Sequence, residues 1–125
     1  MHCLRDLTRG GLATALSELA ENSDLDFEIE EEKLMLSKAE QGACELLGID
    51  PIYVANEGRF IALVPQREVT SILEILHRFP VSENASILGN VMKKRAQKAR
   101  VHARTSFGTM RIWDRLAGDP LPRIC

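Results

Sequence analysis

The apolar period changes abruptly within the first thirty residues, and this constrains the fold more than any other feature of the chain. Leu12, Leu16 and Leu19 fall at i, i+4 and i+7, with Ala13, Ala15 and Ala20 beside them. That spacing is one face of a helix. A few residues later, Leu25-Asp26-Phe27-Glu28-Ile29-Glu30 alternates apolar and acidic residues, the pattern of a half-buried strand with its acids outward. Thr8 stands where it can cap the helix, and Asn22-Ser23 ends it.

The same reading carries along the chain. Residues 37–47 form a second amphipathic helix, stopped by Gly48 and soon after by Pro51. Tyr53-Val54-Ala55 reads as a short strand, Asn56-Glu57-Gly58 as a turn, and Arg59-Phe60-Ile61-Ala62-Leu63-Val64 as the strand that follows. Val69, Ile72, Leu73 and Leu76 mark a third helix closed by Pro80. Ala85 to Met92, Lys98 to Arg104 and Thr109 to Trp113 read as three further strands. The expected fold is therefore α+β, with helices packed on a mixed, mostly antiparallel sheet. Residues 1–118 are read as one domain. Residues 119–125 are read as a flexible, extended tail, because Pro120 and Pro122 fix φ and discourage helix or sheet.

Composition narrows the partners. A net charge of −2 gives no global attraction to nucleic acid or membrane, and no apolar run approaches the roughly 20 residues of a membrane span. The basic run Lys93-Lys94-Arg95, with Lys98, Arg100 and Arg104, lacks aromatic neighbours for base stacking. It reads as a solvated connection between strands, and the acidic run Glu28 to Glu32 reads the same way. Three widely spaced cysteines, Cys3, Cys44 and Cys125, form neither a disulfide framework nor a zinc knuckle, and they suit a reducing cytoplasm. Cys44 reads as a small buried hydrophobe. His2, His77 and His102 have no Cys or His partner at ligand spacing, so no metal site is expected from spacing.

Three places carry chemistry. In Arg5-Asp6-Leu7-Thr8-Arg9-Gly10-Gly11, glycines ahead of a helix let a backbone approach a ligand, and the free N–H groups of a helix start attract anions. Arg5 and Arg9 offer guanidinium forks to phosphate oxygens, and Asp6 offers an oxygen ligand to magnesium. In Asn56-Glu57-Gly58, Glu57 is a carboxylate on a rigid scaffold, a candidate general base. The last residue, Cys125, is a thiol with nothing after it, free to accept a group and carry it elsewhere. A polar motif this close to the N-terminus sits where chains usually fray, so the chain is expected to be the C-terminal portion of a longer protein.

Taken in order, Arg5-Asp6-Leu7-Thr8-Arg9-Gly10-Gly11-Leu12-Ala13, then Cys44 through Gly58, then Pro122-Arg123-Ile124-Cys125 resemble the HypE family of carbamoyl dehydratases, which serve hydrogenase maturation. The likeness runs over the whole chain and over the C-terminal half of the family. Leu7 departs from the proline usual in the first loop. The resemblance implies a PurM C-terminal-like fold, with the N-terminal ATP-binding half absent. It implies that Cys125 receives a carbamoyl group from the carbamoyltransferase HypF. ATP and magnesium then support its dehydration to a thiocyanate, which passes to a HypC–HypD complex as a source of iron cyanide ligands. It implies Cys125 and Glu57 as catalytic residues, with Arg5, Asp6, Thr8, Arg9, Gly10, Gly11 and Asn56 binding the cofactor. A homodimer is expected of the full-length form, and the isolated chain is expected to be inactive. The competing readings are the same domain from another PurM-like synthetase, which needs no terminal cysteine, and a non-catalytic docking module.

Overall fold

The computed structural model describes residues 3–7, 10–34, 38–48, 50–54 and 56–114, with the backbone alone at 40 and 56–58. The change of period becomes a helix lying on a sheet. Helix α1 (Gly11–Ser23) is followed directly by strand β2 (Leu25–Glu30). Strand β2 lies inside a four-stranded sheet of order β4-β2-β5-β6, built with β4 (Gly89–Lys93), β5 (Val101–Arg104) and β6 (Met110–Trp113). β2 runs antiparallel to β4 and parallel to β5, and β5 runs antiparallel to β6. The sheet is thus mixed and mostly antiparallel, and the α+β expectation holds.

The core forms between α1 and this sheet. Leu12, Leu16 and the alanines Ala13, Ala15 and Ala20 are buried with Phe27, Ile29, Val101, Ala103 and Trp113. Small residues along the helix let its backbone lie close to the sheet, while Phe27 and Trp113 supply the large apolar surface. Burying a side chain of that size contributes about 1.5–3 kcal/mol. Ser17 is buried in the same stripe, and its Oγ donates to the carbonyl oxygen of Trp113 at 2.9 Å.

A second, two-stranded antiparallel sheet joins β1 (Cys3–Leu7) to β3 (Asn56–Leu63). Helices α2 (Lys38–Leu47) and α3 (Val69–His77) complete the set. No described helix is long and apolar enough to cross a membrane.

Several expectations need correction. Residues 3–7 are a strand, not part of a loop: Cys3, Arg5 and Leu7 turn inward while Leu4 and Asp6 are exposed. Polar Arg5 and Asp6 disguised that alternation. Gly10, not Thr8, holds the cap position of α1, and Thr8 lies outside the described residues. Pro51–Tyr53 is a 3₁₀ turn rather than the start of a strand. Asp50 caps it by accepting from the Ile52 amide at 3.2 Å, and Pro51 pre-sets φ at its first position. Asn56–Gly58, read as a turn, belong to β3 itself, so the expected pairing of a Tyr53–Ala55 strand with Arg59–Val64 gives way to a long-range pairing of β3 with β1, Ala55 lying outside the described residues. Cys44 is half-buried rather than enclosed, because the helix that carries it is largely exposed: Leu46 and Leu47 are 87% and 62% exposed.

The acidic face of β2 is also not uniformly outward. Asp26 is 1% exposed. Its Oδ1 accepts from the backbone amide of Arg100 at 2.9 Å and its Oδ2 from that of Arg95 at 3.1 Å, and His102 Nε2 also lies 3.1 Å from Oδ2. The basic connection between β4 and β5 is held down rather than merely solvated: Lys94 pairs with Asp24 at 2.8 Å and Arg95 with Glu28 at 2.7 Å.

Candidate functional site

The pairing of β1 with β3 sets the first and second motifs side by side. Leu7 stands opposite Asn56, while its neighbour Asp6 stands opposite Phe60. The register therefore slips at Asp6/Leu7, and residues 57–59 bulge from β3 with no counterpart on β1. Bulges bend a strand and re-aim its side chains, and they are over-represented beside active sites. Glu57 lies in this bulge by its backbone, and Asn56 lies at its edge. Their side chains, with Thr8, Arg9 and Cys125 entirely, fall outside the described residues.

Gly10 and Gly11 hold the corner together for a reason the sequence did not disclose. Both adopt left-handed φ, 68° and 72°. A Cβ on Gly11 would lie 2.6 Å from the carbonyl oxygen of Ile52 and 2.8 Å from the Val54 nitrogen. A Cβ on Gly10 would lie 2.7 Å from Cβ of Thr14. The diglycine thus seats the start of α1 directly against the 51–54 stretch that leads into the bulge. Its absent side chains are first a packing requirement between the two motifs.

The sequence offers the start of α1 as an anion site. Its first turn contains no acidic residue. The Oγ1 of Thr14, packed over Gly10, is buried with no hydrogen-bond partner among the described residues. Thr14 was missed in the sequence, where it looks like one polar break in an apolar stripe. Arg5 is bound otherwise than expected: its guanidinium forms an ion pair with Glu18 of α1, both side chains about three-tenths exposed. It ties β1 to α1. Asp6 is exposed on β1.

A further polar cluster lies where β6 ends. Arg111 pairs through Nε with Glu31 and through its terminal nitrogen with Asp50 Oδ2 at 3.1 Å. Glu31 also accepts from the indole Nε1 of Trp113 at 3.1 Å. Burial pulls the Arg111 pKa down, but its bonds to Glu31 and Asp50 outweigh that and raise it. Burial pushes the Tyr53 phenol up, opposed by a hydrogen bond from the Asp114 backbone. No sequence signal pointed to this cluster, since its members are scattered over more than eighty residues.

A cleft lined by Leu73, Ile87, Leu88 and Gly89 includes none of the sequence-predicted residues. Among the described residues, no group of three His, Cys, Asp or Glu side chains gathers as a metal site.

Residues 1–102 match the family model described as AIR synthase related protein, C-terminal domain. The chain is 45% identical over 121 residues to the carbamoyl dehydratase HypE of Rhodobacter capsulatus, covering 97% of this chain and 35% of that protein. It is 42% identical to HypE of Azotobacter vinelandii, covering 100% of this chain and 36% of the relative. The chain therefore spans about a third of the length of these relatives. Among solved structures, a crystal structure of the hydrogenase maturation protein HypE superposes with a TM-score of 0.92 at 37% identity, over 99% of this chain and 40% of that one. HypE in complex with ATP superposes at 0.88 and 35% identity, over 95% and 37% of the two chains. The HypE–HypF complex superposes at 0.81 and 37% identity, over 90% and 36%.

Proposed function

The chain belongs to the AIR synthase related protein C-terminal domain family, and we propose that it is the thiol-bearing part of an ATP-dependent carbamoyl dehydratase acting in hydrogenase maturation. The observation that carries this reading is the β1–β3 register. It brings the glycine-rich start of α1 and the Asn56-Glu57-Gly58 bulge to one corner, in a chain that carries Cys125 after Pro122-Arg123-Ile124. Similarity to carbamoyl dehydratases along the whole chain supports it.

In the proposed reaction, Cys125 carries a carbamoyl group as a thioester-like S–C(=O)–NH2. A soft thiolate suits this role because it both attacks and leaves readily. ATP, when bound, supplies the phosphoryl group that turns the carbamoyl oxygen into a leaving group. Glu57 takes one amide proton as the oxygen is phosphorylated with release of ADP and passes it to solvent; it then takes the second as the C–O bond breaks, phosphate leaves and the C≡N bond completes, giving S–C≡N on Cys125. The donor set fits a polyphosphate. The amides of Gly10, Gly11 and the first turn of α1 face no competing carboxylate within that turn, and the Thr14 hydroxyl still lacks a partner among the described residues. Thr8, Arg9 and Asn56 are proposed to complete the cradle. Asp6 is the proposed protein ligand of a magnesium ion, which is usually held by one or two carboxylates together with substrate phosphates. Arg5, engaged with Glu18, acts by holding β1 in place.

The proposed donor of the carbamoyl group is the carbamoyltransferase HypF, and the solved HypE–HypF complex supports that pairing. Transfer onward to a HypC–HypD complex, a homodimeric full-length form and a cytoplasmic location belong to the same proposal.

The test is mass spectrometry on the full-length dehydratase carrying this chain, incubated with the carbamoyltransferase, carbamoyl phosphate and ATP. A carbamoyl adduct on Cys125 that then loses water is the expected result, and Cys125→Ser should abolish it without lowering thermal stability. An unmodified Cys125 under these conditions overturns the reading.

A further inference from the structure

We infer that Arg111 is a positioning residue for this dehydration, holding the segment that leads to Glu57 and the root of the C-terminal tail in one fixed relation. The inference rests on the reaction proposed above but draws on a separate set of contacts. Arg111 lies on β6, one residue before Ile112 and two before buried Trp113. Its guanidinium bridges two carboxylates from different parts of the chain. Glu31 follows β2 and also fixes the Trp113 indole at 3.1 Å. Asp50 uses one oxygen for Arg111 at 3.1 Å and the other to cap the Ile52 amide at 3.2 Å.

Both ends of this bridge lead to the chemistry. On one side, the capped turn Pro51–Tyr53 runs into residues 56–58, with Glu57 four residues beyond Tyr53. That stretch already has Gly11 pressed against its backbone. On the other side, Asp114 follows Trp113, touches Tyr53 through its backbone, and stands eleven residues before Cys125. A cation between two carboxylates does this in a way an apolar contact cannot. Without Arg111, Glu31 and Asp50 would face each other as like charges, and the turn and the strand end would be driven apart.

The role of Glu57 decides which step is sensitive. Carbamoylation of Cys125 makes no use of Glu57 in the proposed reaction. Dehydration instead requires the carbamoyl group and Glu57 in register, and a displacement of about 1 Å can cost about a hundredfold in rate. The prediction is a split between the two steps.

In the full-length dehydratase, Arg111→Met should slow single-turnover dehydration of the preformed Cys125 carbamoyl adduct by about 10- to 100-fold. Carbamoylation of Cys125 should stay within about twofold of the parent. Arg111→Lys keeps the charge but not the fork, and should recover part of the dehydration rate. Dehydration by Arg111→Met at the parent rate overturns the inference, as does an equal loss of both steps. Should Arg111→Met fail to fold, Asp50→Asn is read by the same two rates, because it removes the ion pair and retains an oxygen to cap Ile52. Absence of dehydration in the parent itself would instead overturn the reaction proposed above.

Discussion

Asp26 shows how one residue can reverse its apparent role. By alternation it belongs to the solvent face of β2, yet it is buried and organises the connection between β4 and β5. Burial is the largest single influence on its carboxyl and pushes the pKa up. The amides of Arg100 and Arg95 and the His102 ring together outweigh it, leaving the pKa below the ordinary value of 3.8. A carboxyl depressed in the folded state contributes stability that is fully present above its unfolded pKa and is lost as pH falls through the folded value. Urea unfolding of this chain should therefore show stability declining as pH falls below about 3.8, and Asp26→Asn should flatten that decline. Asp26→Ala strands two backbone amides without their acceptor, and should cost about 2–4 kcal/mol at neutral pH. A loss under about 0.5 kcal/mol would refute this account of the residue. Sequence alternation could not reveal Asp26, because a strand's period says which face a side chain leaves from and nothing about what a distant loop lays over it.

At the scale of elements, the decisive contact is between the start of α1 and the turn Pro51–Tyr53. The diglycine was legible as a loop that brings backbone close to something. The sequence suggested a phosphate, whereas the structure shows protein backbone packed against Gly11. Gly11→Ala tests this. An alanine at φ 72° is strained, and its Cβ would sit 2.6 Å from the Ile52 carbonyl oxygen, so a loss of about 2–4 kcal/mol is expected in chemical unfolding. Helices α1, α2 and α3 were legible within a residue or two at most ends, because each shows its own period and stop signals. Strand β1 was not, since two of its five residues are charged and its partner lies some fifty positions away. The error at Tyr53–Ala55 has the same origin: a neighbouring apolar stretch looked like the partner of β3, and the actual partner was remote.

At the scale of the whole molecule, the chain spans about a third of the relatives it matches. The corner built by α1, β1 and β3 offers a helix start and a bulge, and the proposed acceptor thiol, Cys125, lies outside the described residues. In the proposed enzyme the remaining ATP contacts come from elsewhere, so the isolated chain should show neither ATP turnover nor dehydration of a carbamoylated Cys125. ATP-dependent turnover by the isolated chain, followed by phosphate release, would overturn that expectation. The sequence by itself determined the helices, the α+β class, and the identity and order of the three chemical motifs. These are local properties, written in spacing and residue type. The tertiary structure decided which described segments are neighbours: residues 3–7 against 56–63, Gly11 against Ile52, Arg111 between Glu31 and Asp50. The physical reason is that strand register, bulges and bridging ion pairs are fixed by packing between segments far apart in the chain, and no local pattern records that choice.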